Sequence, residues 1–163
     1  MQERTLACSQ SAEGSECGNK GVFFDVQNAG DAAAVQITGL VGGAAYGPRE
    51  ATLYACREAG SGAGRETGEA QWRAVGRATL QKKTSTALRL DAPLTIAPGA
   101  TQGFLLHSAT GYVLYGKEDP DVVSDGVLRI AAGRATDAST PFGTPYYADK
   151  FTHAGAVVYA VLE

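Results

Sequence analysis

Acidic residues gather in one short segment, where their spacing raises the question of cation binding. Asp119, Asp121 and Asp125 lie close together after Lys117, and Pro120 interrupts the segment. Hard cations such as calcium prefer clustered carboxylate and carbonyl oxygens. The spacing fits no EF-hand loop, however, and the positive charge of Lys117 opposes cation binding. We therefore expect a solvated acidic turn, with a weak calcium site at the three aspartates as the alternative.

The two histidines are not arranged for nucleophilic catalysis. His107 ends an apolar run, and His153 lies in a predicted loop. A hydrolytic triad needs a histidine beside an activated serine or cysteine, and the sequence contains no Gly-x-Ser-x-Gly segment. Paired carboxylates for glycoside hydrolysis depend on proximity in space, so the sequence points to no particular pair. We predict no catalytic residue and no enzymatic activity.

Three cysteines allow limited redox or metal chemistry. Cys8 and Cys17 flank a small polar segment, which a disulfide could close at a gain of about 2–3 kcal/mol. A Cys8–Cys17 bridge and two free thiols both remain open. Cys56 lies in a strand-like run and is expected to be a buried, small apolar residue. No CxxC motif and no Cys/His cluster is present, so a zinc site is not expected.

Aromatic side chains supply the candidate ligand-binding residues. Trp72 is the only tryptophan, and it is expected to be a core residue, with a ligand-stacking platform as the alternative. Tyr146, Tyr147 and Phe151 cluster near the end of the chain, with His153 close behind. Such side chains can stack on sugar rings, form a protein interface, or close one end of the core.

A glycine-rich segment resembles a phosphate-binding loop only superficially. In Gly60-Ser-Gly-Ala-Gly64 the glycines alternate, and no helical pattern follows them. A dinucleotide fingerprint needs a preceding strand, a following helix and a parallel sheet. We therefore expect a hairpin or a long surface loop.

The elements that must position these residues read as β-strands. Short apolar-rich runs recur between Gly, Pro and polar clusters, a pattern typical of half-buried strands. We predict about ten short strands in a single antiparallel β-sandwich, jelly-roll-like, with little or no helix. The runs are residues 21–26, 35–40, 51–56, 72–80, 87–90, 94–96, 103–107, 112–115, 127–130 and 156–162.

Length and composition exclude several classes of protein. The chain has 163 residues, 44% hydrophobic and 19% charged, with 21 Gly and 6 Pro. This is typical of one turn-rich globular domain, and we assign residues 20–163 to it, after an N-terminal polar segment at 1–20. A net charge of −3 disfavours nucleic-acid partners and polybasic membrane anchoring. No apolar run approaches the ~20 residues of a membrane helix.

The sequence is compatible with two cellular locations for the protein. The first residues, Met1-Gln-Glu-Arg-Thr, do not have the pattern of a secretory signal. The chain is cytoplasmic on one interpretation, and on the other it is an excised domain of an extracellular or cell-surface protein.

The order of the strand-like segments resembles that of the PHR-type β-sandwich module. Residues 21–26, 35–40 and 51–55 are followed by a glycine-rich loop and Trp72; residues 92–99, 103–106, 112–116, 125–130 and 141–143 and the final strand follow. Relatives of this module recur, often as repeats, in large surface or secreted proteins. The resemblance implies a compact antiparallel sandwich that binds partners or acts as a spacer. Phe151 stands where those relatives would carry a Trp.

These patterns together predict a non-catalytic interaction module. Its loops would bind a protein or glycan partner, within a larger protein or assembly. No cofactor is expected, and weak calcium binding is the alternative. Self-association or tandem repetition is also open, whereas nucleic-acid binding and membrane insertion are not expected. The alternatives are a structural or adhesive subunit of a shell or surface layer, and a carbohydrate-active hydrolase.

Overall fold

The computed structural model describes residues 2–15, 17–117, 122–143 and 146–162, with the backbone alone described at 117 and 146–149. These residues form thirteen β-strands and one 3₁₀ turn, Glu69–Gln71, and contain no α-helix. The all-β prediction is confirmed. The strands are β1 (Glu3–Ala7), β2 (Cys17–Asn19), β3 (Gly21–Asn28), β4 (Val35–Gly42), β5 (Arg49–Cys56), β6 (Trp72–Leu80), β7 (Thr86–Ile96), β8 (Thr101–His107), β9 (Val113–Lys117), β10 (Val122–Ser124), β11 (Leu128–Thr136), β12 (Tyr146–His153) and β13 (Ala156–Val161).

Twelve of the strands follow one another in a single hydrogen-bonded path, and the named pairs are antiparallel. The order is β1-β13-β4-β7-β6-β5-β8-β3-β11-β12-β9-β2, with β10 attached to β11. The sheet is curled. The predicted set of about ten strands differs from the thirteen observed strands in two ways. The prediction missed β1, β2, β10 and β12, and it divided β7 into two runs.

β7 contains Pro93, which lies between the two predicted runs at residues 87–90 and 94–96. The register between β4 and β7 shifts between the pairs Ile37–Leu94 and Gly39–Arg89, the stretch in which Pro93 lies. Proline has no backbone N–H to donate to a strand ladder, so an irregularity of pairing is expected around it. β7 nevertheless continues as one strand, and it also pairs with β6 at Gly76–Leu90. It therefore connects the two halves of the sheet.

β3 shows how the sequence divides the sheet into an inner and an outer face. Val22, Phe24 and Val26 point into the main hydrophobic core, where each is at most 1% exposed. Phe23 and Asp25 alternate with them and face outward, as the two-residue period of a strand requires. β8, which pairs with β3, alternates in the same way. Both strands therefore have packed side chains on the inner and the outer face of the sheet.

The outer face carries a small hydrophobic cluster of its own. It contains Phe23, Cys56, Trp72, Leu105 and Phe142. The rings of Trp72 and Phe142 stack at a centroid distance of 5.3 Å, and Trp72 Nε1 donates a 2.9 Å hydrogen bond to the carbonyl oxygen of Arg65. This cluster fixes the glycine-rich segment before β6 onto the sheet.

A short segment after β4 ties distant parts of the curled sheet together. Gly43 accepts a 2.9 Å backbone hydrogen bond from Leu114, and Ala45 donates one of 2.9 Å to Tyr112. The Ala44 N–H donates a 3.0 Å hydrogen bond to the carbonyl oxygen of Gln81, the residue just after β6. The three-residue segment therefore joins β4 to β9 across the molecule and positions the residue that follows it, Tyr46.

The polar N-terminal segment contributes two strands to this sheet. β1 pairs with β13 and β2 pairs with β9, each along one edge of the path. Among the described residues, no helix has the length and apolar character needed to cross a membrane.

Candidate functional site

The main candidate site is a shallow groove lined largely by aromatic rings, which we call the aromatic groove. Its volume is about 520 Å³. β2, β9 and β12 contribute side chains to it, and the segments just before β9, after β4 and after β11 complete the wall. The lining residues are Gly18, Asn19, Tyr46, Tyr112, Tyr115, Asp137 and Phe151.

The rings of the groove form two edge-to-face pairs. Tyr46 and Tyr112 have centroids 5.6 Å apart at an interplanar angle of 82°, and Tyr115 and Phe151 are 4.8 Å apart at 83°. Such arrangements are favourable because the positive edge of one ring meets the negative face of the other. Tyr46 is 69% exposed, whereas the other three rings are half-buried. The two ring pairs therefore keep part of their aromatic surface accessible to solvent.

Gly18 permits the close approach that forms this groove. A Cβ atom at position 18 would lie 2.6 Å from the Cβ of Ala45 and 2.9 Å from the Cβ of Tyr112. Both distances are shorter than carbon atoms tolerate, so any larger residue would push these segments apart. The two segments carry the Tyr46–Tyr112 pair, and glycine at position 18 therefore lets this ring pair lie against β2.

The polar residues of the groove can add hydrogen bonds to aromatic contacts. Asn19 is buried, and its Oδ1 accepts a 2.8 Å hydrogen bond from the Lys20 backbone N–H. Asp137 is half-buried in the wall. Flat apolar rings beside a few polar groups suit a ligand that has both apolar faces and hydroxyl groups, such as a sugar.

A second region of interest lies on the outer face, where residues 59–66, the glycine strap, cross the sheet over Asp25. Ser61 Oγ donates a short hydrogen bond to Asp25 Oδ2, and the Gly62 N–H donates one of 2.9 Å to Asp25 Oδ1. Gly60 pairs with β8 through hydrogen bonds of 2.7 Å to Thr101 and 2.9 Å from Gly103. The strap is thereby tied to both β3 and β8.

Gly103 leaves the space through which the strap passes. A Cβ atom there would lie 2.4 Å from the nitrogen and 2.8 Å from the Cα of Gly62. Gly103 is the register partner of Asp25 on β3, so the crossing point and the carboxylate lie side by side. The strap separates a pocket of about 480 Å³ from one of about 180 Å³, and Asp25 lines both.

The electrostatics of the strap centre on Asp25 and Glu66. Burial raises the pKa of the Asp25 carboxyl above its usual value, the Glu66 charge acts in the same direction, and the hydrogen bonds from Ser61 and Gly62 oppose the shift. Glu66 is only 6% exposed. It accepts a 2.8 Å hydrogen bond from the Gly64 N–H and lies 3.7 Å from the Arg134 Nε. One carboxylate, that of Asp25, thus lies beneath the strap, and the other, that of Glu66, belongs to the strap itself.

Two of the sequence-predicted ligand residues lie in the interior. Trp72 is 2% exposed, within the outer hydrophobic cluster. His153 is 0% exposed, its Nε2 lies 2.9 Å from the Ala156 carbonyl oxygen, and its ring packs on Phe24 with a centroid distance of 4.7 Å. Neither side chain reaches the surface, because each completes a packed core, and neither is included in the groove.

The other three predicted aromatics lie on β12. Phe151 lines the groove. The backbones of Tyr146 and Tyr147 pair with Thr136 and Ala135 of β11, close in sequence to Asp137. The side chains of these two tyrosines lie outside the described residues, so their assignment stays a prediction.

The predicted acidic turn is described only in part. Asp119 and Asp121 lie outside the described residues. Asp125 uses Oδ1 to accept backbone hydrogen bonds of 2.9 Å from Val127 and 2.8 Å from Leu128. It therefore stabilises the turn that leads into β11. Among the described residues no group of three or more His, Cys, Asp or Glu is placed to hold a metal ion.

None of the three cysteines forms a disulfide in the structure. Cys8 and Cys56 are buried, and Cys17 is exposed on the edge strand β2. The segment between Cys8 and Cys17 is therefore not cross-linked. It is held instead by hydrogen bonds such as that from the Cys8 N–H to Gly155 O, at 2.9 Å.

Sequence reasoning did not single out the most exposed ring of the groove or the carboxylate beneath the strap. Tyr46 stands between Ala45 and Gly47-Pro48, and an aromatic residue beside a Gly-Pro turn is a sign of exposure. Asp25 interrupts the apolar run of β3, and a carboxylate within such a run is a sign of a polar partner on one face. Tyr112 and Tyr115 were recognised only as members of a strand.

Comparison with known proteins does not assign the chain to a family. No protein-family model matches the sequence, and no curated protein matches it.

Proposed function

We propose that this protein is a non-catalytic binding module whose aromatic groove takes a glycan. The observation that carries the proposal is the combination of two edge-to-face ring pairs with Asn19 and Asp137 in one open groove. Aromatic faces pack against the C–H surface of a sugar ring, and carboxylate and amide groups exchange hydrogen bonds with its hydroxyls. A groove of about 520 Å³ lies within the usual ~300–1,000 Å³ range of small-ligand sites.

A sugar is favoured over a protein partner by the amount of exposed apolar surface. Of the side chains that the structure describes, Tyr46 is the only large hydrophobic one that is exposed. A stable protein interface buries about 800 Å² on each partner and has an apolar centre. One exposed ring flanked by half-buried rings and polar groups matches a small ligand better than an interface of that size.

Binding is favoured over hydrolysis by the composition of the groove. Asp137 is the one carboxylate among the lining residues that the structure describes. Hydrolysis of a glycosidic bond generally uses two carboxyl groups about 5–10 Å apart. We propose a module that holds a saccharide without cleaving it and without a cofactor.

The finer architecture and the relationship to known modules are proposals as well. We propose that the two halves of the curled sheet pack face to face as the predicted jelly-roll-like sandwich. We also propose that the resemblance to the PHR-type module reflects a shared role in partner binding. Presentation of the module within a larger surface protein would suit a groove that binds glycans.

The test is a binding screen of the whole chain against soluble oligosaccharides of glucan, galactan, mannan and chitin type. For each that binds, calorimetry compares the wild type with Tyr46→Ala, Tyr46→Phe and the control Arg77→Ala, a change at an exposed residue of β6. We expect about tenfold weaker binding for Tyr46→Ala, since a central aromatic contact is worth more than 1 kcal/mol. Tyr46→Phe and Arg77→Ala should stay within about twofold to threefold of the wild type.

Two results would contradict the proposal. One is a screen in which no oligosaccharide binds the wild type. The other is a saccharide that binds equally well after Tyr46→Ala while circular dichroism shows an unchanged fold, which would place the site elsewhere.

A further inference from the structure

The larger pocket beside the glycine strap, which we call the Asp25 pocket, shares no lining residue with the aromatic groove. It has a volume of about 480 Å³ and is bounded by β3, β8, β11 and residues 59–61 of the strap. Its charged side chains are Asp25 and Arg129, its neutral polar groups include Gln27 and Thr101, and Ala100 and Ala131 are among its apolar residues.

Strand register places the two charged side chains on the same outer face. Asp25 is opposite Ala131, and Gln27 is opposite Arg129, in the antiparallel pair β3–β11. Asp25 and Arg129 are therefore diagonal neighbours, a relationship that separates backbone positions by about 7–8 Å. The carboxylate and the guanidinium consequently face one pocket from two adjacent strands.

These opposite charges do not neutralise each other directly. Within the described residues, no salt bridge of 4.0 Å or less joins Asp25 and Arg129. Arg129 Nη1 instead donates to Gln27 Oε1 at 3.3 Å. Asp25 accepts hydrogen bonds from Ser61 and Gly62 of the strap. The other nearby guanidinium, that of Arg65, donates through Nη1 to the Glu58 carbonyl oxygen at 3.3 Å.

We propose that the Asp25 pocket binds a small zwitterion, a free α-amino acid, with its ammonium group at Asp25 and its carboxylate at Arg129. A guanidinium binds a carboxylate through two parallel hydrogen bonds, and a carboxylate accepts strong hydrogen bonds from an ammonium group. The alanine side chains of the wall provide apolar surface for an aliphatic side chain. The volume leaves room for one.

A zwitterion fits this pocket better than a ligand with a single charge. An amine alone would leave Arg129 facing a filled pocket without a carboxylate, and an acid alone would leave Asp25 without an ammonium group. A ligand with a single charge therefore makes only one of the two charge-assisted contacts and should bind more weakly than a zwitterion, which makes both. The proposal goes beyond glycan binding because it concerns a different ligand on different strands.

The test uses isothermal titration of the whole chain with glycine, alanine, glutamate and lysine, and with ethylamine and acetate as singly charged probes. Arg129→Gln and Asp25→Asn are compared with Arg77→Gln, a matched control that removes an exposed arginine of β6 outside the pocket. We expect at least one amino acid to bind. Its affinity should fall about tenfold or more in each pocket variant and remain unchanged in Arg77→Gln.

Several outcomes would overturn the proposal. They are no heat from any amino acid, equal binding of acetate or ethylamine, and affinity that Arg129→Gln leaves intact. Because Arg129 is exposed and lies outside the core, its replacement tests binding without endangering the fold. Tyr46→Ala should leave amino-acid binding unchanged, so failure of this proposal and failure of the glycan proposal can be told apart.

Discussion

The phenol of Tyr159 donates a hydrogen bond to Oδ2 of Asp125, which joins the last strand, β13, to the turn before β11. The same carboxylate accepts the Val127 and Leu128 backbone hydrogen bonds through Oδ1. Burial opposes ionisation of Asp125, but the hydrogen bonds from Leu128 and Tyr159 outweigh it, and its pKa is lowered. One aspartate thus couples a surface turn to the core.

The first prediction concerns the alkaline stability of Tyr159→Phe. Burial and the Asp125 carboxylate raise the pKa of Tyr159 to about 12, above the value of about 10 for an unfolded chain. The contribution of this raised pKa to the free energy of unfolding is fully present below pH about 10 and is lost as the pH rises through about 12. The variant lacks this alkaline loss, and at neutral pH it should be about 1–2 kcal/mol less stable, because the hydrogen bond is gone.

Urea unfolding at neutral and alkaline pH measures both effects. An absorbance titration of the tyrosines provides the companion check, since the last phenol to ionise in the folded wild type should be missing from the variant. Equal alkaline slopes for the two proteins would contradict the assignment.

The second prediction concerns acid stability and Asp25→Asn. Burial holds the pKa of Asp25 above its usual value, so the folded chain keeps this proton to a higher pH than the unfolded chain does. The stabilising contribution is present below the unfolded pKa of about 4 and is lost as pH rises through the folded pKa. Asparagine does not titrate, so wild-type stability should fall relative to Asp25→Asn as the pH is raised from about 3 to 7.

Asp125→Asn is the matched control because the shift at Asp125 has the opposite sign. Its lowered pKa gives stability that is present above the unfolded pKa and lost as pH falls through the folded one. For each variant, urea unfolding gives the free energy of unfolding of the wild type minus that of the variant as a function of pH. This difference should fall with rising pH for Asp25→Asn and rise with pH for Asp125→Asn. Parallel curves would show that burial does not govern Asp25.

The third prediction concerns Gly103→Ala, which should lift the glycine strap from the sheet. The new methyl carbon would lie 2.4 Å from the Gly62 nitrogen. Displacement of the strap would break the hydrogen bonds that Ser61 and Gly62 give to Asp25, and it should cost about 1–3 kcal/mol. Fluorescence of Trp72, whose indole donates to the strap at Arg65, reports the movement as a red shift.

Gly42→Ala is the control for this substitution. A methyl group at position 42 would meet Leu106 at 3.6 Å and Leu80 at 3.8 Å, which are ordinary contact distances. We expect wild-type fluorescence and a stability change below about 1 kcal/mol. Equal behaviour of the two variants would mean that the crossing at Gly103 does not constrain the strap.

The fourth prediction concerns thiol reactivity. Cys17 is exposed, whereas Cys8 and Cys56 are buried, and burial raises the pKa of the Cys56 thiol. The thiolate is the reactive form, so Cys17 should be alkylated first in the folded protein and the other two only on unfolding. Alkylation followed by intact mass and peptide mapping distinguishes the sites. A chain in which only Cys56 reacts after unfolding would contain the Cys8–Cys17 bridge.

The local sequence pattern was sufficient to predict many of the strands. The alternation in β3 and the apolar runs of β5, β8 and β13 predict strands because side chains of a strand point to opposite faces at every second residue. The short strands β1, β2 and β10 have three to five residues each. They carry too few apolar side chains to form a pattern, and their pairing partners define them.

The sequence by itself determined that the chain is all-β, turn-rich and equipped with aromatic residues near its end, since strand period and turn chemistry are local properties. Only the tertiary structure decided which aromatics meet. Tyr46 and Tyr112 are far apart in the sequence, and they come together because residues 43–45 bridge β4 to β9. The same holds for Asp25 and Arg129, which strand register places on one face. Candidate binding sites of this kind arise from pairings between distant segments, and those depend on packing of the whole sheet.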